Sequence, residues 1–256
     1  MAPLVIAHRG DSDAHPENTL AAFQAALDAG AQYVELDVQI TRDGEVVVIH
    51  DPTLDRTTSG RGPLSAIGLA DLKRLSAGYP ARFAERFRDE RVPTLREALD
   101  LLRGRAIAMI EIKPESVDAR ADDGIEARTI EIVRRAGMEK EAALISFHRT
   151  ALLRCRDQAP AIARGHLFHR GEAGEIVQGG LEVQAEIVLP HKTLLSVDLR
   201  DRAREAALKV ATWVVDEPDE LPSLAHLDLY GIGTNRPAVM MRAVGEGAAR
   251  PVSRSR

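Results

Sequence analysis

Two carboxylates one residue apart, Glu35-Leu36-Asp37, sit in a run that otherwise reads as a buried strand. A second run, Ala106-Ile107-Ala108-Met109-Ile110, closes on Glu111-Ile112-Lys113. Strand side chains alternate between faces, so Glu35 shares a face with Asp37, and Glu111 with Lys113. Buried carboxylates are costly unless paired or bound to a cation. Three of them with further oxygen donors suit a hard divalent ion, Mg²⁺ or Ca²⁺. The competing reading is a structural ion pair of Glu111 or Asp37 with Lys113 or Arg9, and residue types leave the two side by side. Zinc is the weaker choice, because no His-x-x-x-His and no cysteine pair is present.

His8 and His50 add proton chemistry. Each follows a short aliphatic run, and the ordinary histidine pKa near 6.5 suits one as base and the other as acid. Taken singly each is an ordinary structural histidine; beside the carboxylates the functional reading gains the edge. Arg9 brings a planar donor fork and Lys113 a point charge, a pairing suited to phosphate oxygens, unless both only neutralise the nearby acids. Phe147 and Trp213, also expected at strand ends, would give an apolar wall beside a bound molecule or simply pack in the core.

The elements that must position these residues alternate strictly. Strands are expected over 4–7, 33–38, 106–112, 143–147, 161–166, 183–189, 209–215 and 229–234. Amphipathic helices are expected over 17–29, 94–103, 122–137, 148–157, 171–179, 199–208, 217–226 and 237–246. Eight strand–helix units in about 250 residues give the count of a TIM (β/α)8 barrel, whose active site lies at the C-terminal strand ends. A doubly wound open sheet is the alternative, but no Gly-x-Gly-x-x-Gly follows the first strand. Two segments break the pattern. Asp43-Gly44 reads as a two-residue hairpin turn joining 35–40 to 46–50, a register in which Asp37 faces His50. Residues 51–92 form an insertion over the expected catalytic face, partly helical near 69–76. One domain is expected over 1–246, with a frayed tail over 247–256.

Several stretches resemble the glycerophosphodiester phosphodiesterase family of the bacterial cytosolic type. They are His8-Arg9-Gly10, Glu17-Asn18-Thr19, Glu35-Leu36-Asp37-Val38, Thr41-x-Asp43-Gly44, and His50-Asp51-x-x-Leu54-x-Arg56-Thr57-Thr58. Pro93-Thr94-Leu95-x-Glu97, Glu111-Ile112-Lys113, Ser146-Phe147, Trp213-Val214-Val215 and Gly231-Ile232-Gly233-Thr234-Asn235-Arg236-Pro237 complete the ordered set. The resemblance implies a TIM barrel with a small inserted segment after the second-strand hairpin. It implies a divalent metal on Glu35, Asp37 and Glu111, an acid/base pair in His8 and His50, and a phosphate held by Arg9 and Lys113. The implied reaction is metal-assisted hydrolysis of small-molecule glycerophosphodiesters to sn-glycerol 3-phosphate and an alcohol. Three features depart from the family pattern: Met109 two positions before Glu111, Asn235 where Asp is common, and a short insertion. A lysophospholipase D and a non-catalytic phosphate-binding barrel are the rivals. The insertion looks too charged for the first, and the second should have lost a histidine or carboxylate that is present here.

Composition narrows the partners. The 34 basic and 39 acidic residues give a net charge of −5 with no long basic run, which argues against nucleic acid. No apolar run approaches the roughly 20 residues of a membrane span, so stable membrane insertion is not expected. The first residues lack the basic region of a secretory signal, and Cys155, the single cysteine, reads as inert filler in a reducing compartment. A cytoplasmic enzyme is the expectation, and a homo-oligomer is compatible with the sequence.

Overall fold

The computed structural model describes residues 2–118 and 123–249. Strands form at the aliphatic runs: β1 (Leu4–His8), β2 (Tyr33–Ile40), β3 (Val46–Val48), β4 (Ile107–Ile112) and β5 (Ala142–Ser146). β6 (Ala163–Phe168), β7 (Ile187–Pro190), β8 (Lys209–Thr212) and β9 (Gly231–Thr234) follow. All but β3 are parallel, and β1 pairs with both β2 and β9, which closes eight strands into a barrel. Helices of eight or more residues follow the first six barrel strands at Leu20–Asp28, Leu95–Leu102, Ile125–Ala136, Arg149–Gln158, Ala173–Glu182 and Val197–Glu205, and Pro237–Ala249 follows β9. The architecture is a TIM barrel.

Alternation along the strands builds the interior in layers. Ile6, Met109, Ala143, Ile145, Leu167, Ile187, Leu189 and Ala211 pack together as a buried apolar cluster in the lumen. At its lower end the Tyr33 and Tyr230 hydroxyls meet at 2.8 Å. Two residues further toward the C-terminal ends, the same inward faces present His8, Glu35, Glu111, Phe147 and Trp213. The site therefore rests on an apolar floor.

Three expectations need correction. The hairpin pairs Val38 with Val48, Gln39 with Val47 and Ile40 with Val46, so opposed numbers sum to 86 and Asp37 lies opposite Ile49 rather than His50. The cause is a three-residue loop, 42–44, in which Gly44 takes φ +84° and the Thr41 N–H bonds the Glu45 carbonyl. The helix expected over 217–226 is broken into short pieces, Pro218–Glu220, Leu221–Leu224 and Ala225–Leu227, where Pro218 and Pro222 remove backbone donors. The last helix runs beyond 246 to Ala249; the rest of the expected tail, and residue 122 of the expected 122–137 helix, lie outside the described residues.

The insertion carries only short helices, Leu64–Ala66, Leu69–Leu72 and Pro80–Phe83, and packs its own apolar cluster of Leu54, Leu64, Leu72, Ala77 and Val92 on Val47 and Ile49. The Thr94/Glu97 motif is a reciprocal helix cap: Glu97 N–H donates to Thr94 Oγ1 at 3.2 Å and Thr94 N–H to Glu97 Oε2 at 2.7 Å. Cys155 is fully buried and burial pushes its thiol up to about 12, which keeps it unreactive.

Arg164 on β6 is buried and, among the described residues, has no carboxylate in hydrogen-bond contact; its guanidinium donates instead to the carbonyls of Ile162 (2.8 Å), Val183 (3.3 Å), Gln184 (3.3 Å), Ala159 (3.4 Å) and Pro160 (3.4 Å). Arg164→Met would strand those acceptors. Stability should fall by about 3 kcal/mol, or roughly 6–12 °C in Tm, with kcat of the folded fraction unchanged. Thermal melts with activity assays below the transition check this expectation.

Candidate active site

The C-terminal end of β1 makes an abrupt turn. Arg9 adopts a left-handed conformation (φ +58°) and Gly10 follows at φ +83°. A Cβ on Gly10 would lie 2.6 Å from the Ala22 backbone carbon, so only glycine permits this approach. The turn aims the Arg9 N–H at Glu35 Oε2 (3.0 Å) and its guanidinium at Glu17 Oε1 (2.8 Å). Arg9 Nε also lies 3.1 Å from Asp37 Oδ2 as an ion pair without hydrogen-bond alignment.

From there charges alternate across the barrel mouth. Lys113 Nζ donates to Glu111 Oε1 at 2.7 Å and stands 3.4 Å from Asp37 Oδ1. Glu17 also accepts two bonds from Arg56, at 2.7 and 2.9 Å. Arg56 holds both oxygens of Asp51, at 2.7 and 2.9 Å, and Asp51 Oδ1 lies 2.7 Å from His50 Nδ1. Asn18 fixes Asp37 from beneath by donating Nδ2–H to Oδ2 at 2.8 Å.

Glu35, Asp37 and Glu111 each offer a carboxylate oxygen within 4.8 Å of the others, and all three residues are buried. Among the described residues, no hydrogen-bond donor reaches Glu35 Oε1 or Asp37 Oδ1. Burial, with the charges of Asp37 and Glu111, pushes Glu35 well above the usual carboxylate range. Burial and Asp37 push Glu111 up to about 7 against the pull of Lys113. Burial works in the same upward direction on Asp37, but Arg9 and Lys113 outweigh it and hold that carboxyl low. The connected set has three cations, Arg9, Arg56 and Lys113, against five carboxylates, Glu17, Glu35, Asp37, Asp51 and Glu111. A deficit of two positive charges beside donor-free oxygens fits one divalent cation on an all-oxygen ligand set.

His8 and His50 border the same cavity, of about 170 Å³. Both rings are held through Nδ1: His8 by Asn235 Oδ1 at 2.7 Å, His50 by Asp51. Burial and then Arg9 lower His8 to about 4. On the opposite wall Phe147 and Trp213 meet edge to face at 5.7 Å, and Trp213 donates Nε1–H to the Leu189 carbonyl at 3.0 Å.

A model of the glycerophosphoryl diester phosphodiesterase family matches residues 8–239. The chain belongs to that family. It is similar to the glycerophosphodiester phosphodiesterase of Caldanaerobacter subterraneus subsp. tengcongensis, with 36% identity covering 96% of this chain and all of that relative. The crystal structure of a glycerophosphodiester phosphodiesterase from Agrobacterium tumefaciens shares 30% identity at a TM-score of 0.80, covering 94% of this chain and 99% of that one. An Oleispira antarctica phosphodiesterase in complex with the product sn-glycerol-3-phosphate shares 28% identity at a TM-score of 0.82, covering 95% and 97%. Members of this phosphodiesterase family are hydrolytic enzymes, and the helices described here include none long and apolar enough to cross a membrane.

Within this phosphodiesterase barrel, eight of the nine residues singled out from sequence border one cavity: His8, Arg9, Glu35, His50, Glu111, Lys113, Phe147 and Trp213. Asp37, the ninth, lies fully buried behind them. His50 reaches the cavity from two residues past the end of β3, not from the strand itself. Two other histidines near strand ends go elsewhere. His166 turns to the Gly179 carbonyl at 3.0 Å, and His191 packs on Trp213 with its Nδ1 2.8 Å from the Thr193 hydroxyl. Sequence reading assigned no role to Glu17, Asn18, Asp51 or Arg56, although all four stand in the quoted motifs. Asp216 carried no signal beyond its place three residues past Trp213.

Proposed function

We propose that this protein hydrolyses glycerophosphodiesters to sn-glycerol 3-phosphate and a free alcohol. The observation that carries the reading is the meeting, at one cavity and directly behind its wall, of three clustered acids with two donor-free carboxylate oxygens and two histidines each anchored through Nδ1. Glu35, Asp37 and Glu111 would hold Mg²⁺ or Ca²⁺. Bound there, the ion supplies Lewis-acid polarisation of a phosphoryl oxygen. Arg9 and Lys113, the cations bordering the cavity, bind the remaining phosphate oxygens and orient the diester. Family membership and the product named for the Oleispira antarctica relative support the substrate class.

His8 faces a neutral amide and His50 a carboxylate, so the two rings are not equivalent. His8 Nε2 takes the proton of the attacking hydroxyl, and His50, oriented by Asp51, protonates the leaving alkoxide. The proton chemistry is the same whether that hydroxyl is water or the neighbouring glycerol hydroxyl. One domain over 1–246 carries every one of these groups, acting on a small molecule in the cytoplasm.

The alcohol group meets little that could select it. Phe147 and Trp213 form an apolar wall beside the glycerol. The aromatics of the insertion are already covered by guanidinium groups: Arg56 lies 5.5 Å over Tyr79, Arg82 5.0 Å over Phe83 and Arg86 4.7 Å over Phe87. No open cage for a quaternary ammonium is left among them. Glycerophosphocholine, -ethanolamine and -glycerol should therefore show kcat/KM values within about tenfold, roughly 1.4 kcal/mol of transition-state discrimination. Kinetics on all three with one metal test the proposal. Turnover of none of them would remove the proposed function, and a thousandfold preference would mean that the insertion builds a selective pocket.

A further inference from the structure

Two chain segments distant in sequence from His8 meet behind it. Asp216 lies beyond β8 and Asn235 just beyond β9. Asp216 Oδ1 accepts the Asn235 backbone N–H at 2.7 Å and the Thr234 hydroxyl at 2.9 Å. Asp216 Oδ2 accepts Asn235 Nδ2–H at 2.8 Å. A carboxylate cannot donate, so the Asn235 amide must turn its nitrogen to Asp216 and its oxygen the other way. That oxygen lies 2.7 Å from His8 Nδ1, and the Ser12 hydroxyl lies 2.9 Å from it on another side. An amide oxygen cannot donate either. The proton of the neutral His8 ring is thereby placed on Nδ1, and Nε2 is left bare as the ring nitrogen available to the cavity that His8 borders.

We propose that Asp216 and Asn235 are positioning residues that fix His8 in the one tautomer able to accept a proton from the nucleophile. The inference rests on the reading of His8 as general base. In the step served, the nucleophile's O–H bond breaks with its proton passing to His8 Nε2. A new O–P bond forms, the P–O bond to the alcohol breaks, and His50 delivers a proton to the departing oxygen. Asn235 acts on His8 directly; Asp216 acts only through Asn235, by denying the amide its flipped orientation. His50 reaches the same Nδ1–H arrangement by another route, a carboxylate at 2.7 Å, so the two histidines are oriented by chemically different partners.

The test is ¹⁵N NMR of the histidine-labelled protein at a pH where His8 is neutral, with the His8 signals assigned from a His8→Gln variant. Wild type should show His8 protonated at Nδ1 and bare at Nε2. Asp216→Asn gives residue 216 a donor of its own, releases the Asn235 amide to flip, and should move the proton toward Nε2. Its kcat should fall ten- to a hundredfold with KM changed less than threefold. The exchange Asp216→Asn with Asn235→Asp rebuilds the same pattern with the charges swapped. It should restore the Nδ1–H tautomer and bring kcat back to within about tenfold of wild type, a recovery that a merely structural role would not produce. A wild-type His8 carrying its proton on Nε2, or an unchanged tautomer in Asp216→Asn, would overturn the inference. A shifted tautomer with undiminished kcat would instead remove His8 as the base, so the two failures are distinguishable.

Discussion

Glu35→Gln and Glu111→Gln should each abolish most turnover while leaving the barrel folded. Both side chains stand on strands whose other faces are held by the aliphatic core, so neither exchange removes a packing contact of the barrel wall. Each does remove charge from a site that has two negative charges in excess and two buried oxygens without donors. In the metal-free protein that excess is costly, and burial already drives Glu111 up to about 7. Binding of a divalent ion to the folded state alone should raise Tm by mass action. EDTA should therefore inactivate the wild type, with Mg²⁺ or Ca²⁺ restoring both activity and the Tm increment. The glutamine variants should remain folded in the absence of metal and show neither response. Full activity in dialysed, chelated wild type would overturn the assignment of these carboxylates.

The second large effect belongs to the histidines. His8→Ala and His50→Ala should each lower kcat by roughly 10²–10⁴, the usual contribution of general acid–base catalysis. Because both act on one turnover, the double variant should lose less than the product of the two single losses. Asp51 and Arg56 predict a graded companion effect, since they hold His50 without bordering the proposed reaction themselves. Pre-steady-state and steady-state kinetics on the three histidine variants check this. A wild-type rate in either single variant would return that histidine to a structural role.

What could be read from sequence followed the reach of each physical signal. The strict two-residue alternation of strands was enough to put Glu35 beside Asp37 and Glu111 beside Lys113, and the closed barrel keeps those pairings. Aliphatic runs located all eight barrel strands because each is buried on both faces. The hairpin register slipped by one because Asp43-Gly44 is compatible with a two-residue turn, whereas Gly44 closes a three-residue loop. The broken helix before β9 shows the same limit: its apolar spacing is helical, but Pro218 and Pro222 decide the backbone. Asp216 and Asn235 were harder still. Their meaning depends on His8, 227 residues from Asn235, and no local period encodes that meeting. Arg9 and Lys113 were legible as cations, yet each engages a carboxylate here, Glu17 and Glu111, which a spacing argument could not distinguish from a phosphate contact.

The most direct test of the central claim is ³¹P NMR of glycerophosphocholine incubated with the purified protein, with and without a chelator. The arrangement of Glu35, Asp37 and Glu111 beside His8 and His50 predicts conversion of the diester resonance to that of sn-glycerol 3-phosphate, arrest by EDTA, and resumption on adding Mg²⁺ or Ca²⁺. Accumulation of phosphocholine in place of glycerol phosphate, or conversion that continues unchanged in excess chelator, would contradict it.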